Sequence, residues 1–148
     1  MSKNLGKDIT NLCDIEKFQH WTPVSLRFSD QDSLGHINNV SYAAYIEQAR
    51  VAFINDIVCP KGDHINYILA NLQIDYRREM YFPGNVDVGA CLLKIGNKSI
   101  TTGYGLFKDE KNVASGSSVN VFFDSISRKS IPIPDYLRKS LEKELVSN

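Results

Sequence analysis

The hydrophobic pattern in the middle of the chain changes from a helical repeat to a repeat of two residues. Residues 40–58 carry apolar side chains at helical spacing, which predicts one long helix. The predicted buried stripe of this helix consists of Val40, Ala43, Ala44, Val51 and Ile54. Because tyrosines and a phenylalanine widen the apolar surface further, we expect other structure to wrap most of the helix.

Five segments alternate apolar and polar residues, as half-buried strands do. One segment precedes the helix and four follow it: 22–28, 68–80, 86–95, 100–107 and 113–123. Short turn-forming stretches separate the last four, which predicts an antiparallel meander. Residues 115–118 are serine and glycine, small enough to let a helix or a ligand approach the sheet closely.

A sheet with an apolar face needs a cover, and the predicted helix is the only element before the meander that is long enough to supply one. We therefore predict an α+β fold in which an antiparallel sheet of at least five strands wraps around one long central helix. The other face of the sheet is expected to stay uncovered, with residues such as Leu92, Ile100 and Tyr104 available to a second subunit.

The two ends of the chain differ from its centre. Residues 1–20 are polar, with a few apolar positions spaced like one face of a short helix, and we treat them as an N-terminal extension. Residues 21–148 are predicted to form a single domain. This domain ends in an amphipathic helix marked by Leu137, Leu141 and Leu145, which follow two prolines.

The composition excludes several classes of protein. With 17 Lys and Arg against 17 Asp and Glu, the chain has no overall field to hold a nucleic acid or an anionic membrane, so we expect neither partner. The first 20 residues lack the apolar core of a signal peptide, and we expect a soluble, cytoplasmic protein. Cys13, Cys59 and Cys91 form no CxxC pair, which favours reduced thiols over disulfides or a zinc site.

The stretch DQDSLGHINNVSY, residues 30–42, delivers the chain from a strand into the helix N-terminus. Unpaired amides there, near Asn39 and Val40, can stabilise negative charge on a carbonyl oxygen. Asp30 or Asp32 can place a carboxylate opposite that carbonyl, as a base or as a nucleophile. Spacing alone equally fits a purely structural loop, because Asp and Asn are common helix caps and Gly35 suits a turn.

The segment RFSDQDSLGHINNVSYAAYIEQAR, residues 27–50, resembles the motif of hotdog-fold acyl-CoA thioesterases of the 4-hydroxybenzoyl-CoA thioesterase type. It is also similar to the D-x-D-x-x-x-H-V-N-N-x-x-Y stretch of plant acyl-ACP thioesterases. The resemblance extends over residues 22 to 141 through the order of elements, IDYRREMYFPGNVDVG after the helix and the closing IPIPDYLRKSL. It therefore implies a hotdog fold.

The resemblance implies a role for each matching residue of the motif. Asp32 corresponds to the catalytic carboxylate, and Asn39 to the residue whose backbone N–H polarises the thioester carbonyl. The residues expected to bind substrate are Gly35, His36, Val40 and Tyr42. Asn39 departs from relatives that carry Tyr or His, so no proton-transfer role is assigned to its side chain.

A helix glutamate is the catalytic group in a second set of hotdog thioesterases, which draws attention to Glu47. Because the Asp32 match is complete, we interpret Glu47 as a buried partner of a main-chain amide or of an arginine such as Arg50.

The expected reaction is hydrolysis of an acyl-CoA thioester to a carboxylic acid and CoA, with no metal or redox cofactor implied. The expected assembly is a homodimer or homotetramer with active sites between subunits. Three alternatives stay open: an acyl-ACP thioesterase, a hotdog hydratase or dehydratase, and a non-catalytic acyl-binding module. Candidates for the contact with the CoA nucleotide are Arg77, Arg78, Lys94, Lys98 and Arg128.

Overall fold

A computed structural model describes residues 11–58 and 65–146. Within them an antiparallel sheet of six strands curls around one 20-residue helix, α1, which confirms the predicted fold class. The elements in chain order are β1 (His20–Ser25), α1 (Asn39–Val58), β2 (Ile65–Tyr76), β3 (Asn85–Ile95), β4 (Ser99–Lys108), β5 (Lys111–Asp124), β6 (Lys129–Ser130) and α2 (Asp135–Glu142).

The strand order is β1-β3-β4-β5-β2, with the short β6 paired to β5. The predicted meander is correct for β3, β4 and β5 but wrong for β2, which pairs with β5 instead of β3. We predicted that β2 and β3 are neighbours because a short segment connects them. That segment, residues 77–84, is nevertheless long enough to cross the sheet. Three strand spacings amount to about 14 Å, well within the reach of eight extended residues.

The buried face of α1 differs from the predicted stripe. The buried residues are Tyr42, Tyr45, Ile46, Ala49, Arg50, Phe53 and Ile54. Of the predicted stripe only Ile54 is in this set, while Val40 is 70% exposed and Val51 is 42% exposed. Apolar residues occur on several sides of this helix, so spacing alone did not identify the side that faces the sheet.

The difference in the buried face of α1 also affects Glu47. The predicted burial of Glu47 is wrong, because its side chain is 68% exposed. Arg50 lies in the core instead, with its Nη2 atom 3.6 Å from Glu47 Oε2. Its Nη1 atom is buried and has no hydrogen-bond partner among the described residues.

One face of the sheet packs on α1, with the closest approach at β3 and β1, and side chains of β4 belong to the same hydrophobic core. Leu92, Ile100 and Tyr104 are fully buried in this core, so the prediction that they lie on an uncovered face is wrong. Alternation separates two faces of a strand but does not say which one meets the helix. Part of the opposite face is covered by Phe18, which packs with Cys91 and Phe107.

The described segments before β1 and after β6 lie against the sheet. Before β1, Ile15–Lys17 form one 3-10 turn, and the rest of the helix predicted in residues 1–20 falls partly on residues 1–10, outside the described residues. In α2, Leu137 and Leu141 are buried, whereas Leu145 follows the helix and forms a bridge with Leu92. None of the described helices combines the length and apolarity needed to cross a membrane.

Two of the three cysteines fall within the described residues. Cys91 is buried and Cys13 is half-buried, and both are free thiols, as the sequence predicted. Cys59 lies outside the described residues.

Three elements meet at Gly116 in the middle of the sheet. A Cβ atom there would lie 2.6 Å from the backbone oxygen of Gln73 on β2 and 3.5 Å from Ile46 Cδ1 on α1. Glycine at this position therefore permits the close approach of β2, whereas the 3.5 Å distance to Ile46 is an ordinary contact that a Cβ atom would also allow.

We predict that Gly116→Ala lowers the free energy of unfolding by about 1–3 kcal/mol, because the added methyl group forces β2 away from β5. Urea denaturation followed by circular dichroism measures the change. Ser117→Ala, one residue along the same strand, is the matched control and should stay within about 0.5 kcal/mol of the wild type. Equal stabilities for both variants would contradict this account of the β2–β5 contact.

Candidate active site

The loop between β1 and α1 is tightly closed by its own backbone. Gln31 and Ile37 form an isolated antiparallel bridge, and the N–H of Asp32 donates to the carbonyl of His36 over 3.0 Å. Gly35 has φ +87°, a left-handed conformation that favours glycine, and its N–H donates to Asp32 O over 3.1 Å. The loop is thus a compact turn that presents the residues at its tip.

Asp30 anchors this loop from inside the protein, with 3% of its surface exposed. Its Oδ2 accepts hydrogen bonds from the Tyr45 hydroxyl over 2.7 Å and from the Arg27 N–H over 3.0 Å. Its Oδ1 accepts from Arg27 Nε over 3.0 Å. Burial raises the pKa of Asp30, but the hydrogen bonds from Tyr45 and Arg27 together outweigh it, so the pKa is lowered.

Asp32 faces outward and is partly exposed, with 23% of its side chain accessible. Its Oδ1 accepts a hydrogen bond from the Leu34 N–H over 2.9 Å, and its Oδ2 lies 3.6 Å from His36 Nδ1. The same His36 nitrogen lies 3.2 Å from the carbonyl oxygen of Ile37. The Asp32 carboxylate is therefore held in place by the loop backbone, with an imidazole beside it.

Asn38 caps α1 from the position just before the helix. Its Oδ1 accepts from the Val40 N–H over 3.1 Å, and its backbone oxygen accepts from the Ser41 N–H over 2.9 Å. The Val40 amide is therefore occupied, contrary to the expectation that it is free. The Asn39 N–H has no hydrogen-bond partner within the described part of the chain.

A cavity of about 480 Å³ lies between this loop, the start of α1 and the end of β2. The lining residues are Asp32, Leu34, His36, Ile37, Asn39, Tyr42, Tyr76, Arg77, Arg78 and Glu79. The cavity brings together four of the six residues predicted for the site. Gly35 and Val40 do not line it, because Gly35 turns the loop and the Val40 side chain points into solvent.

Two tyrosines join the helix start to the strand end. The Tyr76 hydroxyl donates to the backbone oxygen of Asn39 over 3.0 Å, and its ring packs edge-on against Tyr42 at 5.1 Å between centroids. Tyr42 is buried, and its hydroxyl donates to the Arg78 carbonyl over 3.4 Å. The sequence indicated Tyr76 only as one of several aromatic residues that could line an acyl pocket, and it was not among the predicted site residues.

A second cavity, of about 600 Å³, lies by the second half of α1 and is lined by His20, Phe53 and Cys91, among others. His20 Nε2 lies 2.8 Å from Asp56 Oδ2, which resembles the orienting pair of a catalytic triad. However, burial raises the pKa of the Cys91 thiol to about 11, so this cavity offers no ready thiolate nucleophile. The 480 Å³ cavity is therefore the better candidate.

The described residues contain no cluster of three His, Cys, Asp or Glu side chains arranged to hold a metal ion. Asp32 and His36 form only a pair, which falls short of the three protein ligands of a typical zinc site. The residues that line this cavity include Asp32 with its carboxylate, His36 with its imidazole, and Asn39, whose backbone N–H is unpaired.

Comparison with known proteins agrees with this fold. Residues 26–141 match the thioesterase-like superfamily. Protein YsmA of Bacillus subtilis is 25% identical over 126 residues, which cover 84% of this chain and 86% of that protein.

Two solved structures are also similar. A thioesterase from Thermus thermophilus, complexed with coenzyme A and Zn, is 26% identical with a TM-score of 0.77, over 87% of this chain and 96% of that one. A predicted thioesterase from Bacillus stearothermophilus is 26% identical with a TM-score of 0.77, over 86% and 97%. The family match includes the loop, the start of the central helix and the end of β2, which together form the cavity. The chain therefore belongs to the thioesterase-like superfamily and is a hotdog-fold thioester hydrolase of the 4-hydroxybenzoyl-CoA thioesterase type.

Proposed function

We propose that this protein hydrolyses an acyl-CoA thioester to a carboxylic acid and CoA, with Asp32 as the catalytic carboxylate. One observation carries the proposal: Asp32 and Asn39, which carries the unpaired N–H, line the same cavity. A carboxylate and an amide that approach one thioester from two sides are the minimum required for its hydrolysis.

The Asn39 N–H is the proposed oxyanion donor. It belongs to the first residue of a 20-residue helix, where the unpaired amides and the helix dipole favour negative charge. Because Asn38 occupies the Val40 amide, Asn39 supplies the donor alone at this position. The Tyr76 hydroxyl bonds to the Asn39 carbonyl and so helps to fix the peptide that follows the donor.

Asp32 has two chemically balanced routes. As a general base it accepts a proton from water while the water oxygen attacks the carbonyl carbon, the C–S bond breaks and the CoA thiolate leaves. As a nucleophile its carboxylate forms a mixed anhydride with release of the thiolate, and water then hydrolyses the anhydride. His36 Nδ1 lies 3.6 Å from Asp32 Oδ2, and both residues line the cavity.

Two arginines support CoA as the carrier. Arg77 and Arg78 line the cavity, and a related thioesterase binds coenzyme A. Arg77 is partly engaged, since its Nε donates to Ser115 Oγ over 3.1 Å. The Arg78 guanidinium has no hydrogen-bond or ion-pair partner among the described residues, which leaves it free for a phosphate. Lys94, Lys98 and Arg128 do not line this cavity.

A homodimer is the proposed assembly. β2 is an edge strand of the sheet, and its Ile68 and Leu69 side chains are 50% and 43% exposed. A long edge with exposed apolar side chains favours pairing with another strand. Because β2 ends at Tyr76 in the cavity wall, pairing of two β2 edges would bring a second subunit close to the site.

We predict that Asp32→Asn lowers kcat for thioester hydrolysis by about 10²–10⁴-fold, because the carboxylate that activates water or attacks the carbonyl is lost. Release of free thiol from short, long and aromatic acyl-CoAs measures the rate, and matched acyl-ACPs test the alternative carrier. Asp87→Asn, the same change at an exposed position outside the cavity, is the control. Wild-type turnover that survives Asp32→Asn unchanged would remove Asp32 from the mechanism.

We predict that a double change of Ile68 and Leu69 to lysine converts a dimer into a monomer, since like charges then face each other across the paired edges. Sedimentation velocity at several protein concentrations measures the mass. Ile126→Lys, at a residue that is 71% exposed outside the strands, is the control and should stay dimeric. A monomeric wild type, or a dimeric double variant, would contradict pairing through β2.

A further inference from the structure

The Asp30 carboxylate accepts several hydrogen bonds near the site, although Asp30 does not line the cavity. Among the described residues, Asp30 is the only acidic residue that is buried. Besides the bonds from Tyr45 and from Arg27 N and Nε, its Oδ1 lies 2.9 Å from Arg27 Nη2. A buried carboxylate is costly unless its oxygens are fully paired, and here donors reach both of them.

The backbone of Asp30 forms a second set of bonds to the far side of the same loop. Its carbonyl oxygen accepts from the Asn38 N–H over 2.8 Å and from the Ser41 hydroxyl over 3.4 Å. One residue is thus connected to the start of the loop at Arg27, to its end at Asn38 and to the second turn of α1 at Tyr45.

These connections join the two groups proposed to act on the thioester. Asp32 lies on the loop, whereas Asn39 is the first residue of the helix. The distance between them therefore depends on how firmly the loop is held to the helix. The Asp30–Tyr45 bond, at 2.7 Å, is a short side-chain link between those two elements, and it involves a charged acceptor.

We propose that Asp30 and Tyr45 are positioning residues that fix the Asp32 carboxylate relative to the Asn39 N–H. The inference rests on the proposed function of Asp32 and adds a second pair of residues to it. Charge-assisted hydrogen bonds are short and directional, so they restrict loop position more closely than apolar packing does. A misplacement of about 1 Å between reacting groups can cost about 10²-fold in rate.

Tyr45→Phe tests the proposal, because it removes one hydroxyl and keeps the ring. The expected result is a fall in kcat of about 10-fold or more, with KM within about twofold of the wild type. The matched control is Tyr67→Phe, which also removes a tyrosine hydroxyl bonded to α1, at Asn55 over 3.0 Å, but lies outside the cavity. Tyr67→Phe should keep the wild-type kcat.

Hydrogen exchange supplies a readout that does not depend on activity. The amides of Asp32, Gly35 and Ile37 are all hydrogen-bonded in the loop or to Met80 O, and we expect them to exchange faster in Tyr45→Phe than in Tyr67→Phe. Arg27→Met is a second variant that keeps the Tyr45 bond and changes an exposed side chain. It should give a smaller fall in kcat than Tyr45→Phe.

The outcomes separate this inference from the proposed function. If the wild type hydrolyses acyl thioesters and Tyr45→Phe matches Tyr67→Phe in kcat and in amide exchange, the positioning role is overturned while the function stands. If the wild type hydrolyses no acyl thioester, the proposed function fails, and unchanged exchange in Tyr45→Phe would overturn the anchoring of the loop as well. The positioning role is supported if Tyr45→Phe shows slower turnover and faster amide exchange and Tyr67→Phe shows neither.

Discussion

The structure depends on the burial of α1 inside the curled sheet. Seven of its residues are buried, and the helix approaches the sheet most closely at β3 and β1. Amides inside the helix donate to carbonyls four residues earlier, so donors without helical partners occur only in its first turn. The loop that precedes the helix and the end of β2 meet at this point and form the cavity.

Two carboxylates two residues apart occupy opposite environments at this junction. Asp30 is buried, accepts several hydrogen bonds and has a lowered pKa, whereas Asp32 is partly exposed and accepts one backbone N–H. Tyr45, the partner of Asp30, has a raised pKa because of its burial and that hydrogen bond. The surroundings, not the residue type, therefore separate the anchoring acid from the acid that faces the cavity.

The similarity to known proteins covers most of the chain. The family match covers residues 26–141, and it includes the loop, the helix and most of the sheet. This match supports the hotdog fold and thioester hydrolysis as the class of reaction. The cavity lining includes Tyr42 and Tyr76, whose rings pack together, and Arg78. Under the proposed function, this combination of aromatic surface and positive charge would suit an acyl chain and its carrier.

The sequence by itself determined the elements and the junction between them. The long helix, the alternating strands and the loop that enters the helix were all legible, and α1 begins at Asn39, one residue before the predicted start. Periodicity and capping depend on neighbours a few residues apart, so a single chain displays them directly. Local signals did not single out Asp32, His36 and Asn39 within that stretch, and the resemblance of the motif to a known family did.

The tertiary structure decided which surfaces meet. It placed β2 beside β5, turned Val40 and Glu47 to solvent, and brought Tyr76 and Arg78 to the loop from the far side of the helix. A period of two or of 3.6 defines faces without saying which one is buried, and strand order depends on contacts between distant segments. Those choices follow from the packing of the whole core, which no short window of sequence contains.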